Sequence, residues 1–167
     1  MVDIIDLLEY NRYLRHQYLE TLGTLPWEAV IEDRAASFNS MRNIFLHCIG
    51  VVDWIVNHII QGDPTFIDRY RINYDDYDNF EKILNYLEEV ESKTKAHLSQ
   101  LTPERLSRTF DRNRRDGSTL TATTENHLVH LFQEETHHRG ELIALLWQKD
   151  VRPPHAGWLQ YLTRRSS

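Results

Sequence analysis

Residues 127–141 read His127-Leu128-Val129-His130-Leu131-Phe132-Gln133-Glu134-Glu135-Thr136-His137-His138-Arg139-Gly140-Glu141, and the order of polar and apolar letters along them decides the fold. At about 100° per residue on a helix, His127, Glu134, His138 and Leu145 fall in one narrow sector, with Leu128, Phe132, Leu142 and Leu146 on the apolar face beside it. Metal-ligating side chains thus border the face that must be covered. The segment predicts a core helix from about Thr124 to Lys149, stopped by Asp150 and by Pro153-Pro154.

Three further stretches carry the same period and supply the cover. Ile4, Leu7, Leu8, Asn11, Leu14, Tyr18 and Leu22 recur at steps of three and four, ending at Gly23 and Pro26. A second stripe runs from about Ser40 to Ile60 with Ile44, His47, Val51, Trp54, Ile55 and His58 on one side; Ser37 or Ser40 is its N-cap and Gly62-Asp63-Pro64 its end. Phe80, Ile83, Leu84, Leu87, Val90, Thr94 and Leu98 trace a third, closed by Thr102-Pro103. Residues 101–123 have no sustained period, and their Gly117 and threonines fit a loop or a short extended excursion. Trp158, Leu159, Tyr161 and Leu162 form a short tail expected to fold back. Four amphipathic helices in one 167-residue chain predict an all-α four-helix bundle making a single domain, 1–167.

Composition sets limits on function. A net charge of -6 argues against a protein that grips a polyphosphate backbone, and the basic cluster Arg112, Arg114 and Arg115 is flanked by Asp111 and Asp116 in what reads as a solvated loop. No nucleic-acid partner is expected. Cys48 is the only cysteine, which excludes an intrachain disulfide and fits a reducing, cytoplasmic setting. The N-terminus lacks the pattern of a signal peptide, and the apolar stretches are broken by Asp53, Asn57, His58 or Glu141, short of the ~20 residues a membrane helix needs. A soluble protein with no membrane partner is the expectation.

Glu134 and His138 are one helical turn apart, a spacing that aims both side chains at one ion. His47, between Ile44 and Val51 on the second stripe, faces the same core and is the natural third ligand. One carboxylate and two imidazoles leave coordination positions open to water or substrate. Of the remaining polar groups, His130 and Asn11 are candidates to line the cavity as acid, base or packing group. His137 points about 100° away from His138. His127 is two turns from Glu134, too far to share an ion easily. His58 and His97 read as packing or surface residues, and Cys48 as a small buried one.

The arrangement resembles the DinB/YfiT-like family, whose members carry a helix-two histidine and a helix-four segment of the form His-x-x-x-His-Arg-Gly. The corresponding text here is Leu46-His47 and Glu134-Glu135-Thr136-His137-His138-Arg139-Gly140. Tyr10-Asn11 and the Pro153-Pro154 break followed by Trp158 to Leu162 extend the likeness over nearly the whole chain. The resemblance implies an up-down-down-up bundle, a homodimer, a divalent metal such as zinc or nickel, and activity on low-molecular-weight thiols. A metal-dependent thiol S-transferase is therefore the leading expectation; a metal-dependent hydrolase and a non-catalytic dimeric stress protein that binds a metal or small ligand are the alternatives. The departure is Glu134, which stands where the family has a histidine. A carboxylate hardens the site and shifts its preference toward iron, manganese or zinc, so metal identity stays open.

Overall fold

Each of the four long helices begins on a side chain that accepts a hydrogen bond from its own first turn. In the computed structural model, which describes residues 3–63, 71–113 and 116–165, Asp3 caps α1 (Ile4–Leu22) by accepting from Asp6 N. After a short α2 (Trp27–Ile31), Ser40 caps α3 (Met41–Val52) by accepting from Asn43 N. Asn79 caps α4 (Phe80–Leu98) in the same way. Thr102 caps a further short helix, α5 (Pro103–Ser107), so Thr102-Pro103 starts a helix rather than closing α4, which ends at Ser99. Strands β1 (Thr109–Asn113) and β2 (Thr119–Thr123) follow, then α6 (Thr124–Trp147), capped by Thr123, and α7 (Trp158–Arg165). Such caps each satisfy an orphan backbone donor and are worth about 1 kcal/mol. Pro64, Arg114, Arg115 and the Arg112 side chain lie outside the described residues.

α1 packs on α6, α6 on α3, α3 on α4 and α4 on α1, so the four long helices close into a bundle around one core. Leu14, Tyr18, Ile44, Leu46, Ile49, Ile83, Leu87, Leu128 and Leu146 fill it. The two strands, which lack a helical period, pair antiparallel, with Thr109 facing Thr123 and Asp111 facing Thr121. Thr121 Oγ1 donates to Asp111 Oδ1 at 2.6 Å across the pair. Gly117, shortly before β2, takes φ +83°, a conformation that favours glycine. α7 folds back as expected: Tyr10 meets Trp158 and Tyr161 edge-on, and its hydroxyl donates to the Ala156 carbonyl at 2.6 Å.

Beyond Val52 the second long helix widens into a π-helical stretch, Asp53–His58, and ends in a 3₁₀ turn at Ile59–Gln61. Asn57 ties this stretch to α4, donating to the Val90 carbonyl while Thr94 and His97 reach its Oδ1. His97 is thus engaged with the helix end. By length and composition Met41–Gln61 is apolar enough to cross a membrane, which corrects the expectation that no stretch qualifies; 78% of its most apolar window is buried inside the fold. Its apolar side chains are part of the bundle core.

Candidate metal centre

α3 and α6 lie side by side, and their shared groove is where the ligating side chains meet. His47 projects from α3; Glu134 and His138 project from α6, one turn apart, as the 3.6-residue period requires. His47 Nε2 lies 3.7 Å from Glu134 Oε2, and His138 Nε2 lies 3.6 Å from the same oxygen. One ligand atom from each of the three falls within 4.8 Å of the other two. These separations are too long for hydrogen bonds. They match the roughly 3.4 Å between two ligands that sit about 2.1 Å from a shared tetrahedral ion.

The surroundings hold both rings in place. Phe38, in the loop before α3, stacks on His47 with centroids 4.0 Å apart and meets His138 edge-on at 5.3 Å. His47 Nε2 is buried without a hydrogen-bond partner. An orphaned buried imidazole nitrogen beside a carboxylate oxygen is costly unless something else takes the lone pair, and a divalent ion fits that donor set. Burial, then the neighbouring His138, push the His47 pKa down to about 4, against the opposing pull of Glu134. His47 is therefore neutral, with a lone pair to offer, throughout the physiological range.

The other candidates take different places. His130 Nε2 is 3.9 Å from Glu134 Oε1, on the exposed rim of the site. His137 is 70% exposed and faces Glu141. Glu141 was read from the sequence only as a polar break, with no role at the site: its Oε2 stands 3.7 Å from Nδ1 of His138, behind the ring, and accepts from Ser37 Oγ at 2.6 Å. Its signal was its place one turn beyond His138 on the same face. His127 is buried two turns before Glu134, and His58 sits at the far end of its helix near Asp53 and Asp63.

Asn11 does not join the metal ligands; of the roles the sequence left open, it takes that of a packing group. It is fully buried, donating to Glu135 Oε1 and accepting from Arg139 Nη1 at 2.9 Å. Glu135, the sequence neighbour of Glu134, lies about 100° further round the helix and also accepts from Arg15 Nη1 at 2.6 Å; Arg15 reaches on to Glu91. A cavity of about 540 Å³ opens on this side, floored by Leu8, Val52, Val56 and Leu131. Glu135 lines it, whereas His47, Glu134 and His138 do not. Cys48 is buried nearby, and burial pushes its thiol pKa far up, so it is an inert packing group.

Comparison with known proteins agrees with this architecture. A DinB-like protein from Bacillus subtilis superposes with a TM-score of 0.67 at 19% identity, covering 90% of this chain and 96% of that one. A DinB-like protein from Bacillus cereus gives 0.53 at 20% identity, with 90% and 95% covered. At such identities the likeness is one of fold. No curated protein matches the sequence. The sequence itself matches the DinB family over residues 1–165, and with the helical bundle in hand the chain belongs to the DinB family.

Proposed function

We propose that His47, Glu134 and His138 hold one divalent metal ion and that the protein is a metal-dependent enzyme transferring a low-molecular-weight thiol to an electrophile. The observation that carries the reading is the convergence of two imidazoles on one carboxylate oxygen at 3.6 and 3.7 Å, with the His47 nitrogen buried and otherwise unpartnered. The thiol chemistry is what the family resemblance adds.

When bound, the ion supplies a Lewis acid that lowers the pKa of a thiol at an open coordination position. The chain's own residues do the rest. Burial keeps His47 unprotonated, so it offers its lone pair without competition from protons near neutral pH. Glu134 removes one unit of positive charge from the centre and favours iron, manganese or zinc over metals that prefer soft ligands. Phe38 walls one side and shields the two rings from water. His130, at the rim beside Glu134, is the titratable group placed to exchange a proton with solvent. We take the homodimer implied by the resemblance as the working assembly, to be checked by light scattering.

The test is a panel of small thiols with a chromogenic aryl halide, run with metal-loaded protein. Metal-dependent consumption of thiol, reduced at least ~10-fold in Glu134→Ala, is the expected result, that factor being about 1.4 kcal/mol of barrier. Ester hydrolysis without thiol consumption would replace the reading with metal-activated hydrolysis. Metal binding with neither activity would overturn the enzyme assignment.

A further inference from the structure

His138 presents its two ring nitrogens to two different carboxylates. Nε2 faces Glu134 Oε2 at 3.6 Å and Nδ1 faces Glu141 Oε2 at 3.7 Å. The His138 side chain is 8% exposed, and its Nδ1 is buried without a hydrogen-bond partner. A buried nitrogen of this kind has to be satisfied, and Glu141 is the acceptor facing it. Glu141 is itself anchored, because Ser37 Oγ donates to the same Oε2 at 2.6 Å. Ser37 precedes Phe38, the ring stacked on His47. One carboxylate therefore connects the back of His138 to the loop that covers His47.

His137, His138 and Glu141 also lie close enough to form a second group of metal-ligand type. That group shares His138 with the first. For one imidazole to serve an ion on each nitrogen it must give up its last N–H proton, whereas a neutral ring keeps one nitrogen as donor and the other as acceptor. His137, mostly in solvent, adds little to offset that cost. A single proton on Nδ1 resolves the geometry without it.

We infer that Glu141, held by Ser37, is the positioning residue of the site: it accepts the Nδ1–H of His138, fixes the tautomer, and leaves the Nε2 lone pair aimed at the space between His47 and Glu134. Closing the pair to hydrogen-bond length takes a shift of about 0.5–1 Å. Carboxylates in this relation to a ligating histidine typically change metal affinity 10–100-fold when removed. The inference rests on the proposed metal site for its consequence, but the tautomer can be read with no metal present.

The experiment is long-range ¹H–¹⁵N NMR of metal-free protein, comparing wild type, Glu141→Gln and Glu141→Leu, followed by zinc titration of each and a thermal melt to confirm folding. Wild type shows His138 protonated on Nδ1. Glu141→Gln keeps that tautomer because its amide oxygen still accepts; Glu141→Leu shifts the ring to the Nε2–H form and weakens zinc ~10–100-fold. An unchanged tautomer in Glu141→Leu overturns the inference. So does a second zinc per chain that disappears in both Glu141→Leu and His137→Ala, since it would make the cluster a cation site of its own. A wild type that binds no zinc counts against the proposed function, while the tautomer still decides the role of Glu141.

Discussion

Arg15 and Glu135 form an ion pair inside the bundle: Nη1 lies 2.6 Å from Oε2, with the side chains 7% and 2% exposed. Removing one partner of a buried pair leaves an uncompensated charge, at a cost of about 3–5 kcal/mol. Glu135→Ala is expected to lose that much in urea unfolding. Glu134→Ala, one residue earlier but at the solvent-accessible groove, is expected to cost less than about 1 kcal/mol in metal-free protein. Equal losses would show that Glu135 is not the structural member of the pair.

The contrast explains what the sequence could and could not show. The 3.6-residue period placed His47, Glu134 and His138 on faces that meet, because His47 sits among apolar letters at helical spacing and Glu134 and His138 border an apolar face. Two consecutive acids differ by only 100°, and nothing local says which one will find an arginine across the core. Arg15 lies 120 residues from Glu135, so that pairing is tertiary information. The same holds for Asn11, which the sequence left open between cavity group and packing group and which bonds Glu135 and Arg139. The pairing of β1 with β2 was open between loop and strand because the threonines there alternate with no strong apolar face. The π-helical stretch at Asp53–His58 was read as ordinary helix, since the hydrophobic pattern does not register one widened turn.

His47 links stability to pH. Its folded pKa, about 4, lies below the ordinary value of 6.5, so as pH falls from 6.5 toward 4 the unfolded chain takes up a proton that the folded chain refuses. Stability is lost over that window and is fully present above it. Metal-free wild type should lose more stability between pH 7 and pH 5 than His47→Gln does, measured by denaturant titration at the two pH values. Identical slopes would mean that His47 titrates normally in the fold.

Phe38 accounts for part of that burial. Phe38→Ala should expose His47, raise its pKa toward the ordinary range and weaken metal binding at mildly acidic pH, where a proton then competes for the lone pair. NMR titration of the His47 ring checks the shift, and a pKa unchanged from wild type would count against a covering role for the loop.

Tyr10 joins α7 to α1 through the bond from its hydroxyl to the Ala156 carbonyl and through its contacts with Trp158 and Tyr161. Tyr10→Phe keeps the ring contacts and removes the bond, for an expected loss of about 0.5–1.5 kcal/mol. Thermal unfolding measures it, and a change beyond ~3 kcal/mol would mean that the hydroxyl does more than fasten the C-terminal helix.

The central claim is that His47, Glu134 and His138 together bind one ion. Elemental analysis of protein prepared without an affinity tag, alongside His47→Ala, Glu134→Ala and His138→Ala, addresses it most directly. The account predicts close to one divalent metal per chain in the wild type and clear loss in each variant. No metal in the wild type after exposure to zinc, iron and manganese, or stoichiometric metal in all three variants, would contradict it.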